Sequence, residues 1–258
     1  MDSWLAAYRD PFFTTFFVGT NVVSMGAFLL FAIPMTALAA LDPAWARRFR
    51  IQTRPQRAQL LLGPSVLAFF GNNALTALLV LAIWPVLRAT GIHGGAAPAW
   101  HVVAAQVLFF VYLDDFLYYV LHRLMHAGWL WRKVHSVHHR ITTPWAITGH
   151  YMHPLEYIAT ASLMLVGPAL LGAHVLPLFI WVTIRQWEAA EGHSGYDFPF
   201  GPTHLLPGSD GALHHDFHHA KVKGNYAGFL AWVDGLFGTY AKGYVEARAA
   251  RRPRSPAS

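Results

Sequence analysis

The chain has 258 residues, of which 55% are hydrophobic and only 12% charged, with a mean hydropathy of +0.33. A soluble domain carries roughly 25% charged residues, so this composition excludes an ordinary water-facing globule and points to a membrane protein. The net charge of +6 speaks to orientation and lipid headgroups rather than to nucleic acid, and the absence of cysteine excludes disulfides, thiolate metal sites and cysteine-held iron–sulfur clusters.

No cleavable signal peptide is expected. Asp2, Arg9 and Asp10 lie at the start, and the apolar stretch after them is too long for a signal core. The first membrane segment is predicted from about Phe12 to Leu41, tolerating Gly19, Gly26 and Pro34 and stopped by Asp42 and Pro43. A basic stretch follows, with Arg47, Arg48, Arg50, Arg54 and Arg57. The second segment is predicted over about Leu60–Leu87, with Asn72 and Asn73 expected to hydrogen-bond between helices. An almost uncharged loop, Gly91–Ala99, leads to a third segment over about Val102–Leu121. A histidine- and aromatic-rich stretch spans His122–His153. The fourth segment, Leu155–Ala190, has Gly167, Pro168 and Gly172 near its middle. It is long enough for a hairpin that either crosses fully or dips in. From Glu191 the chain is polar and histidine-rich, and its basic tail (Arg248, Arg251, Arg252, Arg254) is expected to be disordered.

The fold class expected is an all-α integral membrane protein with four to five transmembrane helices and a histidine-rich cap. Residues 1–121 supply the N-terminal helices, 122–240 the cap with its hydrophobic hairpin at 155–190, and 241–258 the tail. The Arg47–Arg57 stretch, the group Arg123, Arg132, Lys133 and Arg140, and the tail are all basic, which assigns the cap to the cytosol and the N-terminus to the outside. Trp4, Trp45, Trp129 and Trp131 read as interfacial anchors.

Histidine placement is the strongest signal. Nine of the 16 histidines fall in the two windows His122–His139 and His214–His219. Box one is HRLMH (His122, His126), box two HSVHH (His135, His138, His139) and box three HHDFHH (His214, His215, His218, His219). Residues three and four apart share a helix face, so each box is expected to aim its imidazoles at one point. These rings exceed the needs of one first-row ion, which makes two ions the economical reading. Imidazole suits both zinc and iron, and the surplus over tetrahedral zinc favours iron. Asp115, Tyr119, His122 and His126 form one helical stripe, in which Asp115, with Asp114 as the alternative, is expected to accept the outer N–H of a box-one histidine. His93, His101, His174 and His204 read as capping or core residues. His150 reads either as support behind the ligands or as having no role.

In their order, these boxes resemble the fatty acid hydroxylase/sterol desaturase superfamily. Asp114-Asp115 before box one and His153-Pro154-Leu155-Glu156 after box two match family elements. The run His193-Ser194-Gly195-Tyr196-Asp197-Phe198-Pro199 is similar to a segment typical of C4-methylsterol oxidases. Gly224-Asn225-Tyr226 and the run from Trp232 to Thr239 complete a resemblance over about Asp114–Tyr240. A departure occurs at Trp145 and His150-Tyr151-Met152, where those oxidases carry a shorter acidic-aromatic stretch. The resemblance implies a di-iron cap on a helical membrane bundle. It also implies O2-dependent hydroxylation, stepwise methyl oxidation or desaturation of a sterol or other lipid, with C4-methyl sterol oxidation the leading expectation. An external electron donor is implied too, either cytochrome b5 or a ferredoxin with its reductase. Carried onto this sequence, the implied ligands are His122, His126, His135, His138, His139, His193, His215, His218 and His219, with His214 and His153 as further candidate ligands.

Two other classes compete on the residues alone. A membrane zinc hydrolase would take a carboxylate base from Glu188, Glu191 or Asp216. A histidine-rich metal transporter or sensor would place its ligands at mid-membrane. The alanine- and arginine-rich composition, without an evident retrieval signal, favours a bacterial inner membrane over the endoplasmic reticulum.

Overall fold

Backbone polar groups inside a bilayer must bond within their own segment, so apolar runs of spanning length become helices. The computed structural model describes residues 2–53, 58–228 and 230–251. Its helices are α1 (Asp2–Ala6), α2 (Pro11–Leu41), α3 (Leu62–Ala89), α4 (Trp100–Met125), α5 (Gly128–Lys133), α6 (Pro154–Leu170), α7 (Val175–Gly192), α8 (Ala212–Lys221), α9 (Trp232–Phe237) and α10 (Tyr244–Arg251). Among the described residues no strand forms, and the isolated bridges are Arg50–Tyr196 and His93–His174. Arg54 and Arg57 of the basic stretch and Arg252 and Arg254 of the tail lie outside the described residues.

Helices α2, α3 and α4 are long and apolar enough to cross a membrane, and α6 is a shorter apolar helix. The fourth apolar segment is a hairpin, with α6 and α7 hinged over residues 171–174. Helix starts follow from local chemistry. Asp10 accepts from Phe12 N at 2.9 Å and Pro11 opens α2, where its missing N–H costs nothing. His153 and His174 cap α6 and α7 in the same way, their Nδ1 atoms accepting from Leu155 N and Leu176 N at 3.2 and 3.0 Å. His153 is therefore occupied as a cap.

The bundle has two distinct ends. At one, Asp10 pairs with Arg88 at 2.6 Å, Trp84 Nε1 donates to Ala7 O, and Val175 N donates to His93 O. Phe16, Trp84, Leu178 and Trp181 fill the adjoining core. The ring of Phe179 lies on Gly19, a close approach that lets α2 run along α7. The last turn of α2, the start of α3, the end of α4, the start of α6 and the end of α7 meet at the other end, where the cap sits. Asn72 Nδ2 reaches the cap segment at Met152 O, at 3.1 Å, whereas Asn73 bonds Phe69 O of its own helix. Asn73 also shares a hydrogen bond with Tyr157 of α6, the helix-to-helix kind expected, whereas Asn72 bonds the cap segment instead.

The tail departs from expectation. Tyr244–Arg251 is helix α10, with Tyr244 buried and donating to Asp210 at 2.5 Å. Arg248 pairs with Asp210 at 2.6 Å, and Arg251 donates to Arg50 O at 2.8 Å. A buried carboxylate needs partners, and the tail supplies them.

Candidate metal centre

Four elements deliver the rings. His122 lies in the last turn of α4 and His126 caps it. His135, His138 and His139 sit on a 3-10 turn, His135–Arg140, rather than on an α-helix. α8 carries box three, and His193 closes α7.

The structure gathers nine of these rings into two groups. His122, His126, His135, His139 and His218 form one, and His138, His193, His215 and His219 the other. Within each group the ligand atoms lie within 4.8 Å of one another. In the five-ring group, neighbouring Nε2 atoms are 3.0–3.1 Å apart. In the four-ring group, His193 Nε2 lies 3.1 Å from those of His215 and His219 and 3.3 Å from that of His138. The groups adjoin, with the His139 and His219 ring centroids 5.0 Å apart.

Boxes two and three do not each aim at one point. Each is split between the groups. On α8 successive residues turn by about 100°, so His215 and His219 stand about 40° apart while His218 lies about 100° from His219. His215 and His219 therefore face the four-ring group and His218 faces the other.

Backbone carbonyls set the tautomers. Nδ1–H donates to Tyr226 O from His122 (2.7 Å), Tyr151 O from His138 (3.2 Å), Ala189 O from His193 (2.8 Å), Gly224 O from His218 (2.7 Å) and Ile141 O from His219 (2.7 Å). His135 Nδ1 pairs with Glu156 Oε1 at 2.6 Å. Because a carbonyl can only accept, these rings turn a bare lone pair inward at Nε2. Lone pairs about 3 Å apart repel unless a cation sits among them. Right-angled donors about 2.1 Å from a first-row ion would stand about 3.0 Å apart, and tetrahedral ones about 3.4 Å. The five-ring edges match the former. The residues thus fit metal binding with more than four donors.

Burial keeps the ligand nitrogens unprotonated. It pushes His126 and His135 down to about 3 and His138 to about 4. It also holds His139, His193, His215, His218 and His219 well below the usual histidine value.

The supporting residues differ from those expected. His122 Nδ1 goes to Tyr226 O rather than to Asp115, which accepts from Leu230 N at 3.5 Å. Asp114 pairs with Arg185 at 3.4 Å. His214 faces Asp234 at 3.2 Å and stays out of both groups, as does His153. Trp131 is stacked on His126 at 5.1 Å. His150 is stacked on Phe28 at 3.8 Å, shares a hydrogen bond with Gln186 and lines the cavity beside His193 and His215. Glu156 was visible in its motif without a role.

The Asn225–Asp234 framework carries no ligand, yet it builds the loop that holds two of them. Asp234 accepts from Tyr226 N, Ala227 N and Thr239 Oγ1 at 2.9, 2.8 and 2.6 Å. Asn225 joins Ala241 N to His214 O. Gly224, at φ +86°, lies so close to Ala241 that a Cβ would stand 2.6 Å from its backbone. Its carbonyl is the one that His218 uses.

A narrow cavity of about 50 Å³ reaches the four-ring group from inside the bundle, lined by His193, His215, Tyr157, Met164 and Arg185 among others. A basic groove lined by Lys221, Lys223, Lys242 and Tyr226 adjoins the five-ring group through Tyr226 and Gly224. The Tyr226 ring stands 5.0 Å from that of His126.

Fold and site together define a helical membrane protein with an all-imidazole cluster, in two adjoining groups that could hold metal, at one end of its bundle. The chain belongs to the fatty acid hydroxylase family, whose model matches residues 107–239. It is 36% identical over 234 residues to methylsterol monooxygenase 2-2 of Arabidopsis thaliana, covering 88% of this chain and 86% of that protein. It is 41% identical over 170 residues to very-long-chain aldehyde decarbonylase GL1-11 of Oryza sativa subsp. japonica, covering 64% of each. Methylsterol monooxygenase 1 of Rattus norvegicus is 41% identical over 142 residues, covering 55% of this chain and 48% of that protein. No solved structure matches the chain.

Proposed function

We propose that this chain is a multi-pass membrane monooxygenase that holds two iron ions in its two histidine groups and oxidises a C–H bond of a methylsterol or related lipid with O2. The observation that carries this reading is the pair of adjoining imidazole groups with Nε2 lone pairs turned inward. A reduced iron pair supplies O2 activation for C–H oxidation, which consumes two electrons and two protons from a donor and releases water beside the hydroxylated product.

The chain's own residues do the rest. Backbone carbonyls and Glu156 hold the rings in the ligating tautomer. The cavity beside His193 and His215 admits substrate from the bundle side and keeps bulk water out. The lysine groove beside the five-ring group suits an acidic electron donor such as cytochrome b5 or a ferredoxin with its reductase. Five crossings, with α6 and α7 as a spanning hairpin, put the N-terminus outside and the cap in the cytosol. The arginines and lysines of the cap end support that orientation.

The hydrolase reading fares worse on the donor set. Both groups are wholly imidazole, Asp216 accepts from Gln52 at 2.8 Å, and Glu191 accepts from Trp187 at 2.5 Å. A transporter is disfavoured because the rings lie at the helix ends. Metal analysis of detergent-purified protein, combined with an O2-consumption assay on a methylsterol, tests the proposal. Two irons per chain and O2-dependent sterol oxidation are expected; one zinc with hydrolytic activity would overturn it.

A further inference from the structure

The segment between α7 and α8 does not simply lie on the cap. Residues 199–208 form a strap beside α4, where Tyr112 Oη donates to Pro207 O at 3.1 Å. Tyr112 stands ten residues before His122, about 15 Å along the axis of α4, so the strap reaches well below the level of the rings. It satisfies much of its own backbone. His204 N donates to Gly201 O at 3.0 Å, and Leu206 N and Ser209 N donate to Thr203 O and Leu206 O at 3.1 Å. Membrane depth demands such closure of a non-helical segment. Phe200 and Leu205 are 74% and 82% exposed, which suits lipid rather than water.

Successive strap residues line two different spaces. Thr203 and Leu205 border a groove of about 420 Å³ among α2, α4 and α7, walled by Phe31, Val107, Leu108, Val111, Ile184 and Trp187. Ile184, nine residues before His193, stands about 180° from it on α7, so the groove opens away from the rings. His204 borders the other space, a pocket of about 790 Å³ on the cap that Arg48, Arg248 and Arg251 line together with Asp197 and Asp210. Phe49 also lines this pocket, and its ring stands 6.0 Å from that of Phe200.

The pocket holds three guanidiniums against two carboxylates. Asp210 pairs with Arg248 at 2.6 Å, and Asp197 bonds His204 at 3.1 Å. Arg48 stands over the Phe49 ring at 4.7 Å. Arg251 donates from Nη2 to the carbonyls of Arg50 and Ile51, and buried Asp216 acts on it through space. Spare positive charge therefore lies one residue along the strap from an apolar groove.

We propose that the two spaces form one site for an anionic phospholipid, its phosphate held by Arg48 and Arg251 and one acyl chain laid over the strap into the groove among α2, α4 and α7. Charge selects the head. Guanidinium binds phosphate through paired N–H donors, and basic clusters at the ends of membrane helices draw anionic headgroups, whereas a choline ammonium would face like charge. Position selects a bilayer lipid over the substrate, because α7 separates the groove from the rings. The site stands whatever reaction the rings perform.

Native mass spectrometry of the detergent-purified full-length protein tests this, with equimolar dioleoylphosphatidylglycerol and dioleoylphosphatidylcholine as probes. The wild type is expected to retain one phosphatidylglycerol about tenfold more strongly than phosphatidylcholine, equivalent to about 1.4 kcal/mol. In Arg48→Gln/Arg251→Gln the preference is expected to fall within about twofold. Leu108→Trp, which fills the groove from its half-exposed wall, is expected to weaken retention of both lipids by about tenfold. Metal content should stay unchanged in both variants. Equal retention of the two lipids by the wild type overturns the site, as does an unaltered preference in the arginine variant. Unaltered retention in Leu108→Trp, or displacement of the lipid by glycerol 1-phosphate, would leave a phosphate pocket without a chain groove and overturns the lipid assignment. A dimer that forms on delipidation and is lost in Leu108→Trp would give the groove to a second copy of the chain instead.

Discussion

The two histidine groups use the same side chain and face different surroundings. The five-ring group lies near the cap surface, with half-buried His126 against Tyr226 and Trp131 and a lysine groove beside it. The four-ring group is buried throughout and looks into the cavity within the bundle. On the proposed function, the contrast lets one centre serve two traffics: electrons arriving from the polar side, and an apolar substrate arriving from the bilayer. The cavity-facing group has fewer rings, four against five.

The harshest way to break this comparison is His138→Ala. It should abolish turnover and leave one iron per chain instead of two, as read by metal analysis and assay. Simultaneous loss of both irons would mean that the groups are one cooperative site. Glu156→Gln comes next. Losing the carboxylate behind His135 should weaken metal retention in the five-ring group by about 10- to 100-fold in a chelator titration. Loss confined to the four-ring group would invert the assignment. Gly224→Ala forces a Cβ against Ala241 at a positive φ, at a cost of about 1–3 kcal/mol. A lower melting temperature and weaker five-ring metal binding through His218 are expected, while a variant as stable as wild type would show that the turn is not the support for His218. The smallest effect belongs to His174→Ala at the far end. It removes an α7 cap, costing about 0.5–2 kcal/mol, and should leave iron content and turnover unchanged; any loss of iron would tie that end of the bundle to the site.

Local signals were legible wherever a short window carried the physics. Apolar run length located α2, α3, α4 and the α6–α7 hairpin, because a bilayer dictates both composition and length. Histidine spacing singled out the rings, and the family resemblance added His193, which lies in no box. Asp115 was misread because helical periodicity says which residues share a stripe, not which partner from another element arrives first; Tyr226 O did. The described part of the tail, through Arg251, was misread because its basic composition resembles disorder, while the buried Asp210 that pairs with Tyr244 and Arg248 lies more than thirty residues earlier.

What the sequence determined by itself was therefore the membrane setting, the helical class and eight of the nine imidazoles that gather, since each follows from composition or from spacing within a few turns; the ninth, His193, came from the family resemblance. Only the tertiary structure decided how those rings divide five and four, which carbonyls fix their tautomers, and that Arg185 pairs with Asp114 and Glu188. Those outcomes depend on which side chains from remote elements fill a shared space, and packing between distant segments leaves no mark within a local stretch of chain.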